Sequence, residues 1–279
     1  MAIVSAGTVR KMQTHLEAPV QYQWVAGDER ASVNAWLGKR INLDFTGTIN
    51  CIHCNRSTKK SFSQGYCYPC FQRLAQCDSC IVKPEKCHFD AGTCREPDWG
   101  EANCNIDHIV YLANTSGVKV GITRGTQVPT RWMDQGATQA QPIARVSRRY
   151  ISGLLEILLA EHVADKTAWQ TMLKGDGAAV DLGQRQAQLA ELCAEGIAQI
   201  TSTHGIQAVS WLEDQETVSI AYPVLEWPVK VSSHNLDKTS SVEGTLLGIK
   251  GQYLMMDTGV INIRKYGGYH IEVRVFDNA

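Results

Sequence analysis

Two C-x2-C pairs, Cys51 with Cys54 and Cys67 with Cys70, are separated by twelve residues. No other feature of the chain narrows its fold as much. Each pair presents two thiolates from one tight turn, and two such turns complete a tetrahedral shell around a single ion. The spacing predicts a zinc ribbon, with the residues between the pairs forming a hairpin. Four thiolates leave no open position for water, so the ion's task is to hold a fold together. Arg56, Lys59, Lys60 and Arg73 surround the pairs, set either to touch phosphates or to solvate an exposed finger.

A second cluster follows, made of Cys77, Cys80, Cys87, His88, Cys94, Cys104 and His108. Seven candidates exceed the four ligands of one zinc shell. Cys77 and Cys80 are expected to supply the turn pair and Cys87 and Cys104 to complete the site, with Cys94 and His88 as close competitors. Zinc is the expected ion and an iron–sulfur cluster the alternative, because cysteine spacing alone does not separate them. Nine of the ten cysteines lie between Cys51 and Cys104. No basic start with a long apolar run opens the chain, so a soluble, cytoplasmic, non-membrane protein with reduced thiols is expected. The tenth, Cys193, reads as a buried residue of a helix.

At 279 residues, two or three modules are expected. The reading is α+β: an N-terminal β module over 1–50, the Cys-rich region over 51–104, an α/β core over 105–205, a linker over 206–240 and a β-meander over 241–279. Val20 to Val25, Ser32 to Leu37 and Ile41 to Ile49 look like strands of the first module. Glycines split Val242 to Val275 into short runs, and both end modules are expected to be small barrels. Leu189, Leu192, Cys193, Ile197 and Ile200 recur at helical spacing, predicting one amphipathic helix over 182–200 that stops at Gly205. Net charge is −1, so overall charge does not mark a nucleic-acid binder. The distribution does more: residues 109–150 carry six Lys or Arg against one Asp, and residues 151–230 carry four against eleven acids.

From Cys104 to Glu156 the sequence reads as two strands, a helix, a third strand and a second helix. Ile109 to Leu112 and Val118 to Ile122 flank turn chemistry at Asn114 to Gly117. Thr130 to Gln135 would form the first helix, stopped by Gly136; Ile143 to Tyr150 the third strand; and Ser152 to about Val163 the second helix. This order resembles the GIY-YIG nuclease core in a divergent form, a three-stranded antiparallel sheet with flanking helices. Val110-Tyr111-Leu112 falls at GIY, Lys119-Val120-Gly121 at YIG, Arg131 at the family's arginine and Glu156 at its metal-binding glutamate. With its Cys-rich segment, the chain also resembles a bacterial family defined only as a domain of unknown function.

The resemblance implies a phosphodiesterase site. Glu156 would hold Mg²⁺ or Mn²⁺, Arg131 would fork onto the phosphate, Tyr111 would accept a proton from water, and Lys119 would clamp phosphate or act as base. Arg124, Arg145 and Arg149 are expected to contact nucleic acid, the last two sharing parity on the third strand. Ile109 stands where that family has its first glycine. The competing reading is a non-catalytic, zinc-stabilised nucleic-acid-binding or regulatory protein that keeps the fold. A scaffold that binds no nucleic acid is the third. DNA versus RNA and the oligomeric state stay open.

Overall fold

A computed structural model describes residues 2–163 and 168–276. The last three residues of the expected C-terminal module and residues 164–167 of the expected core therefore lie outside the described residues.

Both ends of the chain enter one sheet. Strands β1 (Ala2–Thr8), β5 (Arg40–Ile49), β11 (Ser241–Lys250), β12 (Tyr253–Met256), β13 (Gly259–Asn262) and β14 (Tyr269–Phe276) pair in the order β1-β14-β5-β11-β12-β13, all antiparallel. The expectation of a small barrel at each end is thus corrected, since each set of terminal strands finds its hydrogen-bond partners in the other. Val273 of β14 lies opposite Leu43 of β5, and both are buried. Strands β2 (Gln13–His15), β3 (Gln21–Ala26) and β4 (Glu29–Ser32) form a separate three-stranded sheet. Residues 34–36, expected as strand, form a single 3-10 turn that buries Trp36 against Trp24.

The core sheet contains β6 (His108–Asn114), β7 (Val118–Arg124), β8 (Gln139–Val146), β9 (Val209–Trp211) and β10 (Val218–Ser219), with helix α3 (Thr130–Asp134) following β7. Its order β10-β8-β6-β7 leaves β7 as an edge, with β9 pairing to β8. Three of its five strands are those expected. The other two come from the stretch read as linker, whose Ile220, Tyr222 and Leu236 are buried. Alternation along β6 loads both faces, as period-two side chains must. Val110 and Leu112 pack toward helix α4 (Arg149–Ala160), and Tyr111 and Ala113 pack toward the core of the six-stranded sheet.

Arg148 and Arg149 stand beyond the end of β8, so the shared strand parity of Arg145 and Arg149 does not hold: Arg149 opens α4. After the short α5 (Trp169–Met172), the amphipathic stretch divides at Cys193 into α6 (Leu182–Leu192) and α7 (Ala194–His204). Cys193 is buried, as expected, and the Gly205 stop is in place with φ +99°. In the Cys-rich region the only regular helices are α1 (Tyr68–Arg73) and α2 (Pro97–Asn103). The expected ribbon hairpin is reduced to isolated bridges, Asn50 with Ser57 and Phe62 with Tyr66. Among the described residues, no helix is long and apolar enough to cross a membrane.

Candidate functional site

The two C-x2-C turns converge. One follows β5 directly, and the other caps α1, with Cys67 at the N-cap and Pro69 in the first turn, where a missing N–H costs nothing. The sulfurs of Cys51, Cys54, Cys67 and Cys70 all lie within 4.8 Å of one another, and Cys54 and Cys67 stand 3.7 Å apart. A tetrahedral zinc ion with bonds of about 2.3 Å needs sulfurs about 3.8 Å apart, so the set fits. Burial raises the Cys51 thiol, but the N–H groups of Cys54, Cys67 and His53 point at it and bring it down to about 6. Donors aimed at sulfur favour thiolate, the form a metal takes. Cys70, buried among the other three sulfurs, is pushed up to about 12 without an ion. A zinc ion here would be fully ligated by protein and would serve the fold.

Beside this centre lies an open cleft of about 890 Å³. The edge strand β7 forms one wall, contributing every residue from Lys119 to Arg124. Lys119, Arg124, Arg131 and Arg149 reach it from the core, Arg10, Lys11 and Arg30 from the N-terminal segments, and Arg264 from the turn before β14; the carboxylates lining it are Asp134 and Glu156. Asp134 is pinned at the base, accepting from Lys11 Nζ at 2.6 Å and from Gln252 Nε2 at 2.9 Å. Burial, and then the neighbouring Arg131, hold the Arg264 guanidinium below its usual range. Burial does the same at Arg149, with Arg124 adding to it. Like charges pressed together in a half-dry cleft make a strong positive potential.

Lys119, Arg131 and Glu156 all line this cleft, and Tyr111 supports it from behind. The Tyr111 ring is fully buried, with its hydroxyl 2.9 Å from the Gln135 amide. Gln135, with its amide turned to satisfy both neighbours, donates to that hydroxyl and accepts from Arg131 Nε at 3.1 Å and Nη2 at 2.9 Å. Burial, against the opposing pull of Arg131, pushes the phenol up to about 12. It is therefore protonated at neutral pH, and its contact is with the residue that orients Arg131. Glu156 is half-buried on α4 and near enough to Arg149 to stabilise its charge.

Gly121 faces Tyr111 in register across β6 and β7. A Cβ there would stand 2.5 Å from the ring and 2.6 Å from the hydroxyl oxygen. The ring lies flat over a missing side chain, which is a physical reason for glycine in Lys119-Val120-Gly121. Gly121→Ala should destabilise the chain by about 1–3 kcal/mol in denaturant unfolding and loosen Arg131. A ΔΔG within a few tenths of zero would show that the ring has room to move.

Of the expected nucleic-acid contacts, Arg124 and Arg149 line the cleft, Arg124 bonding to Asn103 and Arg149 Nη2 donating to the Ile81 carbonyl at 2.6 Å. Arg145 lies elsewhere, exposed and 3.7 Å from Asp107. Cys80, Cys87 and Cys104 border a common space, whereas Cys77 is buried beside Cys51, Cys67, Cys70 and Leu74. His108 is also apart, with Nδ1 2.8 Å from the Ile106 carbonyl oxygen. Burial lowers its imidazole to about 4.

Gln135, Arg10, Lys11 and Arg30 escaped the sequence reading, whereas Arg264 is among the C-terminal residues, with Tyr253, Lys265, Tyr266 and Tyr269, expected to stack on bases or clamp a backbone. Arg10, Lys11 and Arg30 sit in segments without a motif, and only the fold gathers them with Arg264. A family model described as a protein of unknown function, DUF2797, matches residues 38–271. No curated protein and no solved structure matches the chain.

Proposed function

The chain belongs to the DUF2797 family of proteins of unknown function, and from that premise we propose that it binds nucleic acid, gripping the phosphodiester backbone in the basic cleft, with a structural zinc ion at Cys51, Cys54, Cys67 and Cys70. The observation that carries this reading is that, among the described residues, the cleft is lined by eight cationic side chains against two carboxylates, one of them pinned by Lys11, in a chain of net charge −1. Folding has concentrated positive charge that composition conceals. A polyanion would relieve the crowding of Arg131 with Arg264 and of Arg124 with Arg149. Lys59 and Lys60 flank a neighbouring hollow that shares Ser63, Gln64 and Arg264 with the cleft, so a strand could run on over the cysteine module.

Fluorescence anisotropy with labelled duplex DNA, single-stranded DNA and RNA tests this. Micromolar or tighter binding is expected at low salt, weakening on a straight line of log affinity against log salt. Absence of binding to all three, or binding indifferent to salt, sinks the proposal.

Hydrolysis is the second reading, favoured by the side chains that meet on the β7 wall. The succession hairpin, helix, strand, helix supports kinship with the GIY-YIG core. Arg131, oriented through Gln135 and Tyr111, would take the phosphate, and Lys119 would add charge beside it. Glu156 is the residue that would hold Mg²⁺ or Mn²⁺, a hard ion that would supply electrostatic stabilisation of the transition state. Tyr111, protonated and buried, is assigned to positioning. Glu156→Ala should abolish metal-dependent cleavage of an oligonucleotide while leaving affinity within about threefold. Cleavage that persists in that variant removes the assignment.

A further inference from the structure

At the second cysteine set, three different ligand types meet in place of the four thiols that spacing suggests. A carboxylate oxygen of Asp78, the sulfur of Cys80 and a ring nitrogen of His88 lie within 4.8 Å of one another. His88 Nε2 stands 3.4 Å from Asp78 Oδ2. Nitrogen and oxygen ligands about 2.0–2.1 Å from a tetrahedral zinc ion are about 3.4 Å apart, so the pair has the separation of two ligands on one ion. All three residues border a space of about 10 Å³, together with Cys87, Cys94 and Cys104. That volume holds about one water-sized body, which is room for a single ion.

The hydrogen bonds leave His88 and Asp78 in need of a cation. The Thr93 hydroxyl donates its one proton to the His88 carbonyl at 3.3 Å, so it accepts from His88 Nδ1–H at 2.8 Å. Nε2 therefore presents a lone pair, and what it faces is a carboxylate oxygen. Two acceptors so placed repel unless positive charge lies between them. A proton would serve only these two groups, whereas a metal ion serves the Cys80 sulfur as well. The surrounding contacts fix the carboxylate as they would for a ligand: Oδ1 accepts from Ser79 N at 2.6 Å, and Arg95 Nε pairs with Oδ2 at 2.7 Å.

We propose that Asp78, Cys80 and His88 bind a second zinc ion, with Cys87 as the fourth ligand. A mixed set of sulfur, nitrogen and oxygen donors suits zinc. Cys87 is the chain neighbour of His88 and borders the same space, whereas Cys94 turns its thiol to the Glu96 carbonyl at 3.5 Å. The ligands bracket a segment that packs on α4. Its Pro84–Glu85 turn presses so closely that a Cβ on Gly153 would collide with Glu85 N, and its Ile81 carbonyl accepts from Arg149 Nη2 at 2.6 Å. The ion thus fixes the turn that holds Arg149 at the cleft. Weaker oligonucleotide binding on its removal rests on the proposed function, whereas the ion itself does not.

Zinc content and zinc-edge X-ray absorption of the full chain test the site. Expected are about two zinc ions per chain, with a mean shell of about three sulfurs to one nitrogen or oxygen. His88→Ala and Cys80→Ser should each leave about one zinc in an all-sulfur shell, with the far-ultraviolet dichroism kept, and Cys94→Ser should keep both ions. A single zinc per chain in the unmodified protein overturns the proposal, as does a second zinc whose shell is all sulfur, or a full zinc content in His88→Ala. If the ligand variants unfold, the zinc count and shell of the unmodified chain still decide. None of these readouts involves nucleic acid, so failure here and failure of oligonucleotide binding are separate results.

Discussion

Chelation of the ion at Cys51, Cys54, Cys67 and Cys70 should unfold residues 51–74 and lower the melting temperature sharply, with readdition of zinc restoring both. The physical reason is how little else holds that segment. Apart from four of the cysteines, its buried cluster consists of Leu74, with Tyr66 and Phe71 packed at the side. Its strand pairing is confined to two isolated bridges, and its one α-helix, α1, is six residues long. A core that small does not offset the entropy of ordering more than twenty residues, at about 1–2 kcal/mol each. Structural zinc contributes on the order of 10 kcal/mol in comparable modules. The double variant Cys51→Ser, Cys67→Ser should therefore show exchange of segment amides within minutes by hydrogen–deuterium mass spectrometry. The loss should spread to the six-stranded sheet, because Asn50 N donates to the Gly268 carbonyl at 2.7 Å and Ser61 Oγ to the Gly267 carbonyl at 2.9 Å. A variant that melts with the parent would mean that packing alone suffices.

What the chain discloses before folding follows the range of the interactions concerned. The C-x2-C pairs are legible because both halves of each turn lie within four residues. The β6–β7 hairpin is legible because Asn114 to Gly117 joins strands that pair residue for residue, Asn114 with Val118 through His108 with Arg124. The six-stranded sheet was hidden: β1 pairs with β14 across almost the whole chain, and nothing local in Ala2–Thr8 records its partner. The same limit explains the second cysteine set. Adjacent in sequence, Cys77 and Cys80 look like one turn pair, yet a 3-10 turn over 75–77 faces Cys77 toward the first centre and the next turn sends Cys80 toward Cys104. Tyr111 shows how a motif's place can be legible while its surroundings are not. Its place in the strand was evident, whereas the burial that keeps it protonated depends on Trp132, 5.9 Å away, and on a sheet built from distant segments.

The cleft makes the other large prediction, and it separates a general basic surface from a built site. Lys119→Glu with Arg131→Glu should weaken oligonucleotide binding by about two orders of magnitude near 100 mM salt, each reversal costing about 1–1.5 kcal/mol. It should also reduce the salt slope by about two, one unit for each phosphate that the protein no longer neutralises. Arg145→Glu is the matched control. It changes the same charge on the same module, but its side chain is exposed, lies near Asp107 and stands outside the cleft. If diffuse charge over residues 109–150 were enough, Arg145→Glu would cost as much as either cleft reversal. If phosphates seat along β7, affinity in Arg145→Glu stays within about twofold of the parent. Equal losses at all three positions, or no loss at any, would therefore remove the cleft from the binding surface.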